Sequence, residues 1–133
     1  MSMNQTVLEA KRIGIFHCTV DCHLPDAAGL LVEEDISTLV VTDHEGCLAG
    51  IITRTDFLRA WSNAPDWRRE TVRQFMNPAV ITVPETACLA DVARLILEQH
   101  IHRVVVIRHT EDGKRRPIAV VSSADLIYHM LNE

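Results

Sequence analysis

The chain has 133 residues, of which 47% are hydrophobic, and it carries a formal net charge of −5. That length is enough for one compact domain with a core, or for two interlocked half-domains, and the apolar content excludes wholesale disorder. The acidic balance lacks the basic excess with which proteins displace counterions from nucleic acid, so we expect no nucleic-acid partner.

The cysteine content and the hydropathy pattern indicate the compartment. The four cysteines do not form the dense pattern of a disulfide-stapled secreted domain. Residues 1–11 lack the apolar core of a signal peptide, and no window approaches the ~18 consecutive apolar residues of a membrane span. We therefore expect a cytoplasmic protein without a membrane span, whose thiols are reduced.

The first half of the chain predicts a strand, a helix, two strands and a second helix. The first strand is predicted over residues 13–18, and Asp21 is the predicted N-cap of a helix that tolerates Pro25 in its first turn. A polar turn at 43–46 joins the apolar runs 36–42 and 48–53, which predicts an antiparallel hairpin before a helix that begins near Asp56. The predicted buried stripe of the first helix consists of Leu24, Ala27, Ala28, Leu31 and Val32.

The second half repeats this order after a linker. A short helical turn at 71–76 ends before Pro78. A strand at 80–83, a helix capped by Thr86 and strands at 101–107 and 117–121 follow, and a helix at 125–131 ends the pattern. We assign residues 1–62 to an N-terminal segment and first unit, 63–78 to a linker with a short helix, and 79–133 to a second unit.

The two halves are copies of each other. Leu24 and Ile36 correspond to residues 65 positions later, and Thr53 and Asp56 to residues 69 positions later, so the second copy has four extra residues in the polar turn 110–116. The predicted fold class is α/β (α+β), with two β-α-β-β-α units. Because neither unit can cover its own sheet, we expect them to pack together with pseudo-twofold symmetry.

One motif occurs in both copies, at 50–56 and at 119–125. An apolar triplet runs into a hydroxyl residue, and an aspartate follows three positions later at the start of a helix. The pairs are Thr53 with Asp56 and Ser122 with Asp125. Unpaired N–H groups and the helix dipole favour anions there, which predicts a phosphorylated, sugar-containing ligand. The same spacing approximates a capping box, and capping alone also explains each pair; the two roles are compatible.

The ordered segments EEDISTLVVTDHEGCLAGIITRTDFL, EQHIHRVVVI and IAVVSSADLI resemble a tandem pair of CBS domains, the Bateman-type module named after cystathionine β-synthase. The resemblance covers about residues 13–131. It implies a regulatory, non-catalytic module that needs no cofactor and binds AMP, ADP, ATP or S-adenosylmethionine in clefts between the repeats. It also implies a homodimer that signals to an unidentified partner protein.

The resemblance implies roles for individual residues. Asp56 and Asp125 would hold ribose hydroxyls, since a carboxylate accepts two hydrogen bonds from a vicinal diol, and Thr53 and Ser122 would lie near the ribose or phosphate. The other candidate ligand contacts are Arg54, Ile81, Thr82, Val83, His102 and Arg103, with His17 and Cys18 as further candidates in the first copy. His102 and Arg103 can equally be a solvated strand start or form a surface ion pair, and Arg54 can be a solvent-facing first-turn residue.

Departures between the copies predict unequal sites. Ala119 stands where the first copy has Gly50, and Ser37-Thr38 stands where the second has His102-Arg103. These differences also favour the main alternative, a structural dimerisation module without a ligand.

A metal or redox sensor is a more distant alternative. It would use Cys18 and Cys22 with His17 and His23, but no second ligand pair has metal-finger spacing, so we predict no metal site. No nucleophile or phosphate-loop motif is present, and we predict no catalytic residue.

Overall fold

The computed structural model describes residues 4–10 and 14–132, without the side chain of Ala10. The strands are β1 (His17–Thr19), β2 (Thr38–Thr42), β3 (Leu48–Thr53), β4 (Thr82–Pro84), β5 (Arg103–His109) and β6 (Arg115–Ser122). The helices are α1 (Val7–Ala10), α2 (Leu24–Glu34), α3 (Arg54–Asn63), α4 (Val72–Phe75), α5 (Leu89–Gln99) and α6 (Ser123–Leu131), with a 3₁₀ turn at Trp67–Arg69. The chain forms two compact units: the first is Phe16–Val80, and the second combines Met1–Ile15 with Ile81–Glu133.

The first unit has a three-stranded sheet of order β1-β2-β3. The β1–β2 pair is parallel, as a strand-helix-strand crossover requires, and the β2–β3 pair is the predicted antiparallel hairpin. Leu39, Val40 and Val41 are all buried, which is typical of a strand covered on both faces. Helix α2 covers the sheet with Leu24, Ala27 and Leu31.

The second unit repeats this arrangement with the order β4-β5-β6. The β4–β5 pair is parallel and the β5–β6 pair antiparallel. Helix α5 contributes Leu89, Val92 and Ile96 to the core. The prediction of two β-α-β-β-α units in an α/β fold is confirmed.

The N-terminal segment packs with the second unit. Val7 is fully buried in that core, and its N–H donates to the Ala87 carbonyl at 2.9 Å. Further along, Gly14 N–H donates to the Ile118 carbonyl of β6 at 2.8 Å. The unit boundaries therefore differ from a simple division at residue 62, because backbone groups and an apolar side chain of this segment find their partners far along the chain.

In the first unit, the segment after α4 lies against β3. Ile51 N–H donates to the Asn77 carbonyl at 3.0 Å, and Asn77 N–H donates to the Ile51 carbonyl at 2.8 Å. A Cβ on Gly50 would lie 2.8 Å from that Asn77 oxygen and 3.0 Å from Met76 Sδ. Glycine at position 50 is thus explained by the close approach of the chain's own backbone.

Two predicted helix caps are wrong by two residues each. The N-cap of α2 is His23 rather than Asp21, whose carboxylate instead contacts His44 Nε2 at 2.7 Å. The N-cap of α5 is Cys88 rather than Thr86, because the thiol and N–H of Cys88 both bind the Asp91 carboxylate.

The predicted stripe of α2 and the predicted first strand are only partly correct. Val32 is 81% exposed and Ala28 half-buried, since the buried face of α2 is narrower than the pattern suggests. Strand β1 begins at His17, and of the predicted strand 13–18, Ile13 lies outside the described residues.

Candidate functional site

The first corner comprises Thr53 to Asp56, where β3 ends and α3 begins. Thr53 has extended backbone angles, and its N–H donates to Asp56 Oδ2 at 2.8 Å. The Thr53 hydroxyl donates to the same oxygen at 3.1 Å. Oδ2 therefore makes the helix cap, and the capping interpretation of this motif is confirmed.

The other oxygen of Asp56 also has a partner. Asp56 Oδ1 accepts a hydrogen bond from an Arg59 guanidinium nitrogen at 3.0 Å, one helical turn further along α3. The Asp56 side chain is 13% exposed and that of Arg59 is 59% exposed. Sequence reasoning missed Arg59, although the three-residue spacing of an acid and a base on a helix is a recognisable ion-pair signal.

Arg54 is directed elsewhere. Its guanidinium lies 3.9 Å from an Asp35 carboxylate oxygen, and both side chains are exposed. The Arg54 N–H donates to the Ser37 carbonyl at 3.2 Å, which ties the start of α3 to the segment before β2. The structure thus pairs the Arg54 side chain with Asp35, and its ligand contact stays a prediction.

The second corner comprises Ser122 to Asp125, where β6 ends and α6 begins. Ser122 N–H donates to Asp125 Oδ2 at 2.8 Å, and the Ser122 hydroxyl donates to the same oxygen at 3.0 Å. The Asp125 N–H donates back to Ser122 Oγ at 3.2 Å, so this capping box is closed in both directions. Both aspartates therefore hold their corners through Oδ2.

The neighbouring strands place one side chain beside each corner. Thr38 pairs with Thr53 in the β2–β3 register, and Arg103 pairs with Ser122 in the β5–β6 register. Directly opposed residues present their side chains on the same face of a sheet. His102 precedes β5 and is exposed, while its carbonyl accepts the Ser123 N–H at 2.9 Å.

Arg103 and Thr38 differ in charge and in burial. Arg103 is half-buried, and this burial lowers the pKa of its guanidinium. The Thr38 hydroxyl is buried and has no hydrogen-bond partner within residues 4–10 and 14–132. The second corner thus has a cation beside it, whereas the first has an unsatisfied hydroxyl.

The remaining predicted contacts lie on β1 and β4, and some of their side chains fill cores. Val83 and Cys18 are buried in their own units, at positions equivalent by the 65-residue repeat. Thr82 is half-buried on β4, and the Ile81 carbonyl accepts the Val105 N–H at 3.1 Å. His17 Nδ1 lies 3.4 Å from Thr42 Oγ1. Side-chain contacts from Val83 and Cys18 to a ligand are thus disfavoured by packing.

The thiols of Cys18 and Cys22 interact with each other in the first unit. Burial, and secondarily Cys22, raises the pKa of the Cys18 thiol to about 12, and burial also raises the pKa of Cys22. Both thiols are therefore protonated at neutral pH, and a protonated thiol is a poor nucleophile and a poor metal ligand.

In the described part of the chain, one group of three metal-ligating side chains lies close together, namely Asp43, Glu45 and Cys47, whose donor atoms lie within 4.8 Å of one another. Asp43 Oδ1 accepts the N–H groups of Glu45 and Cys47 at 2.9 Å each, so this carboxylate holds the hairpin turn. The metal site considered from the sequence consists of Cys18 and Cys22 with the neighbouring histidines. Within the described residues, these side chains do not form a group of three close metal-ligating atoms. No helix in that part of the chain is long and apolar enough to cross a membrane.

The chain is similar to known proteins both in sequence and in fold. The CBS domain profile matches the chain twice, over residues 4–63 and 72–132. The crystal structure of CBSX2 in complex with AMP is similar, with a TM-score of 0.80, 25% identity and 96% of both chains covered. So is the CBS domain pair of protein MJ0100 in complex with 5′-methylthioadenosine and S-adenosyl-L-methionine, with a TM-score of 0.73, 26% identity and 96% of both chains covered.

One relative of this chain is a much longer protein. L-aspartate semialdehyde sulfurtransferase of Methanocaldococcus jannaschii is 31% identical over 101 residues, which is 76% of this chain. The match covers 18% of that enzyme.

Proposed function

This chain belongs to the CBS domain family, and from that membership and the geometry of its corners we propose that it is a regulatory module that binds an adenosine-containing ligand. The observation that carries the proposal is the use of Oδ2 for the cap by both Asp56 and Asp125. The second oxygen of each carboxylate lies outside the cap, so a cis-diol that replaces any partner already bound there can donate to it while the helix cap stays intact. Capping and ligand binding are thus compatible at one residue.

The second corner is the better candidate for a ligand that carries phosphate, such as AMP, ADP or ATP. Arg103 lies on the same face as Ser122, and a half-buried guanidinium forms stronger bonds to an anion than a solvated one. At the equivalent position the first corner has the uncharged Thr38. S-adenosylmethionine, which has no phosphate, fits the first corner better on charge alone.

Isothermal titration with AMP, ADP, ATP and S-adenosylmethionine tests this proposal. Asp125→Asn should weaken AMP binding at least about tenfold, because a half-buried carboxylate that accepts two hydroxyls is replaced by a neutral amide. Asp91→Asn is the matched control, since Asp91 also caps a helix through a carboxylate but lies outside both corners. Urea unfolding of both variants measures the loss of the cap itself.

The proposal fails if none of the four ligands gives heat or raises the melting temperature at millimolar concentration. It also fails if Asp91→Asn and Asp125→Asn weaken AMP binding equally. In that case a general loss of stability explains the effect.

A second candidate function is dimerisation without a ligand, and the surface of the long helices favours it. Large apolar side chains are exposed there at positions that the repeat makes equivalent. The pairs are Val32 with Leu97, Leu58 with Ile127, and Trp61 with Met130. Exposed apolar patches of this kind mark interaction surfaces, so in this alternative the chain is a homodimer that buries them and binds no ligand. We propose no catalytic activity for it.

Sedimentation equilibrium tests the homodimer. Ile127→Glu should shift the chain towards monomer, because it places a charge within an apolar contact. Arg115→Glu is the control, since it changes charge at an exposed strand position away from the helices. A monomeric wild-type chain would contradict the homodimer, and a dimer that survives Ile127→Glu would move the interface elsewhere.

A further inference from the structure

Arg59 donates a hydrogen bond to Asp56 Oδ1, the carboxylate oxygen that takes no part in the helix cap. We propose that Arg59 is a displaceable internal occupant of the first corner, which competes with the cis-diol of a nucleoside for Asp56 Oδ1. The proposal rests on the proposed function, since it concerns how the same corner is regulated. Nothing in the CBS motif itself, which consists of the hydroxyl residue and the aspartate, specifies this competition.

The hydrogen bonds to Asp56 show why the two partners compete. An ionised carboxylate has about four acceptor positions, two on each oxygen. The N–H and hydroxyl of Thr53 use both positions of Oδ2, and Arg59 uses one position of Oδ1. One position remains, whereas a cis-diol donates two hydrogen bonds. Two hydroxyls can therefore bind Asp56 only after Arg59 leaves.

Burial indicates which partner moves. The Asp56 side chain is 13% exposed and is fixed by the cap, whereas the Arg59 side chain is 59% exposed. Ion pairs between residues three apart on a helix are weak, and a largely solvated guanidinium such as that of Arg59 loses little when it returns to water. Arg59 is thus held loosely enough for a ligand to displace it, at a cost in affinity.

A second observation indicates that the first corner is built to receive a further polar group. The Thr38 hydroxyl is buried on the same face as Thr53 and has no partner in the described residues. An unsatisfied buried hydroxyl is costly, so its position beside the capping box favours a bound ligand there. At the position equivalent to Arg59, the second copy has Tyr128, whose phenol is neutral, so this residue pair is not repeated.

The test is designed to isolate the first corner. All variants carry Asp125→Asn, which removes the carboxylate of the second corner. Binding of adenosine and of 2′,3′-dideoxyadenosine is measured by titration, because both are neutral and only adenosine has the diol. We expect Arg59→Met to tighten adenosine binding about two- to fivefold and to leave 2′,3′-dideoxyadenosine unchanged. Arg59→Lys, which restores a cation, should return adenosine affinity towards that of the parent.

The outcomes separate this proposal from the proposed function. If the parent binds adenosine and Arg59→Met binds it no more tightly, the competition is wrong and the function stands. If both nucleosides gain equally, Arg59 acts on the fold rather than on the diol, which also overturns the proposal. If Arg59→Met with Asp125→Asn binds no adenosine while the wild type does, the first corner is not a diol site. Absence of binding by every protein, the wild type included, overturns both.

Discussion

The structure predicts that Thr38→Val stabilises the protein, which is unusual for a substitution at a buried site. The Thr38 hydroxyl is buried and has no hydrogen-bond partner in the described part of the chain. Leaving a buried hydroxyl unsatisfied costs about 1–3 kcal/mol, and valine has nearly the same shape with a methyl group in place of the hydroxyl. We therefore expect the free energy of unfolding to rise by about 1 kcal/mol.

Thr42→Val is the matched control at the other end of β2. Thr42 is 3% exposed, and its hydroxyl lies 3.4 Å from the Cys18 carbonyl oxygen and 3.4 Å from His17 Nδ1. Here the replacement of a hydroxyl by a methyl group removes hydrogen bonds that are long but present, and each is worth about 0.5–1.5 kcal/mol. We expect Thr42→Val to lower the free energy of unfolding by about 1 kcal/mol, so the two variants should differ by about 2 kcal/mol.

Urea unfolding followed by circular dichroism measures both variants against the wild type. Equal m-values would show that the change lies in stability rather than in the compactness of the unfolded state. The reasoning is refuted if Thr38→Val is destabilising by as much as Thr42→Val. In that case the Thr38 hydroxyl has a partner, such as an ordered water, in the unliganded protein.

Two further predictions concern packing and pH. Gly50→Ala should destabilise the first unit by about 1–3 kcal/mol, because its Cβ would lie 2.8 Å from the Asn77 backbone oxygen. Gly29 in helix α2 is the control, because a Cβ there would meet nothing within 4 Å, and Gly29→Ala should stabilise the protein by about 0.5–1 kcal/mol. Thermal unfolding compares the two variants. Equal effects would contradict the close approach of Asn77 to Gly50. The pKa of Cys18 rises from 9.0 to about 12 on folding, so its thiol stabilises the fold fully below pH 9, and this contribution is lost as the pH rises towards 12. Between pH 9 and 10 the loss should be about 1 kcal/mol, and Cys18→Ala should flatten it in urea unfolding; an unchanged slope would assign the alkaline transition to other groups.

The parts of the fold that depend on local pattern could be predicted from the sequence. The repeat, the hairpin over 36–53 and the capping role of Asp56 and Asp125 each follow from residues close together in the chain. The caps at His23 and Cys88 could not be predicted in the same way. Asp21 and Thr86 are better N-cap residues by type, but the turns before α2 and α5 place them two positions too early.

Long-range partners account for the other differences. The apolar pattern around Val7 is the same whichever core it fills, so the sequence does not indicate that it packs with Val83 and Val92. Likewise, glycine is required at position 50 because of Asn77, which lies beyond α3, the 3₁₀ turn and α4. Such contacts can be identified only from the folded structure, since hydrophobic periodicity predicts local elements and not which distant residues meet.

The two oxygens of one carboxylate explain why the motif predicts the cap better than the binding site. The bonds to Oδ2 come from residues inside the motif, and they are the same in both corners. What happens at the other oxygen depends on residues outside it, and in the first corner Arg59 is bonded there. The charge of the residue at this position can differ without loss of the cap, since the second copy has the neutral Tyr128 where the first has Arg59. Ligand affinity can therefore differ between two corners that share the same bonds to Oδ2. We expect residue 59 to contribute to that difference, together with the contrast between Thr38 and Arg103.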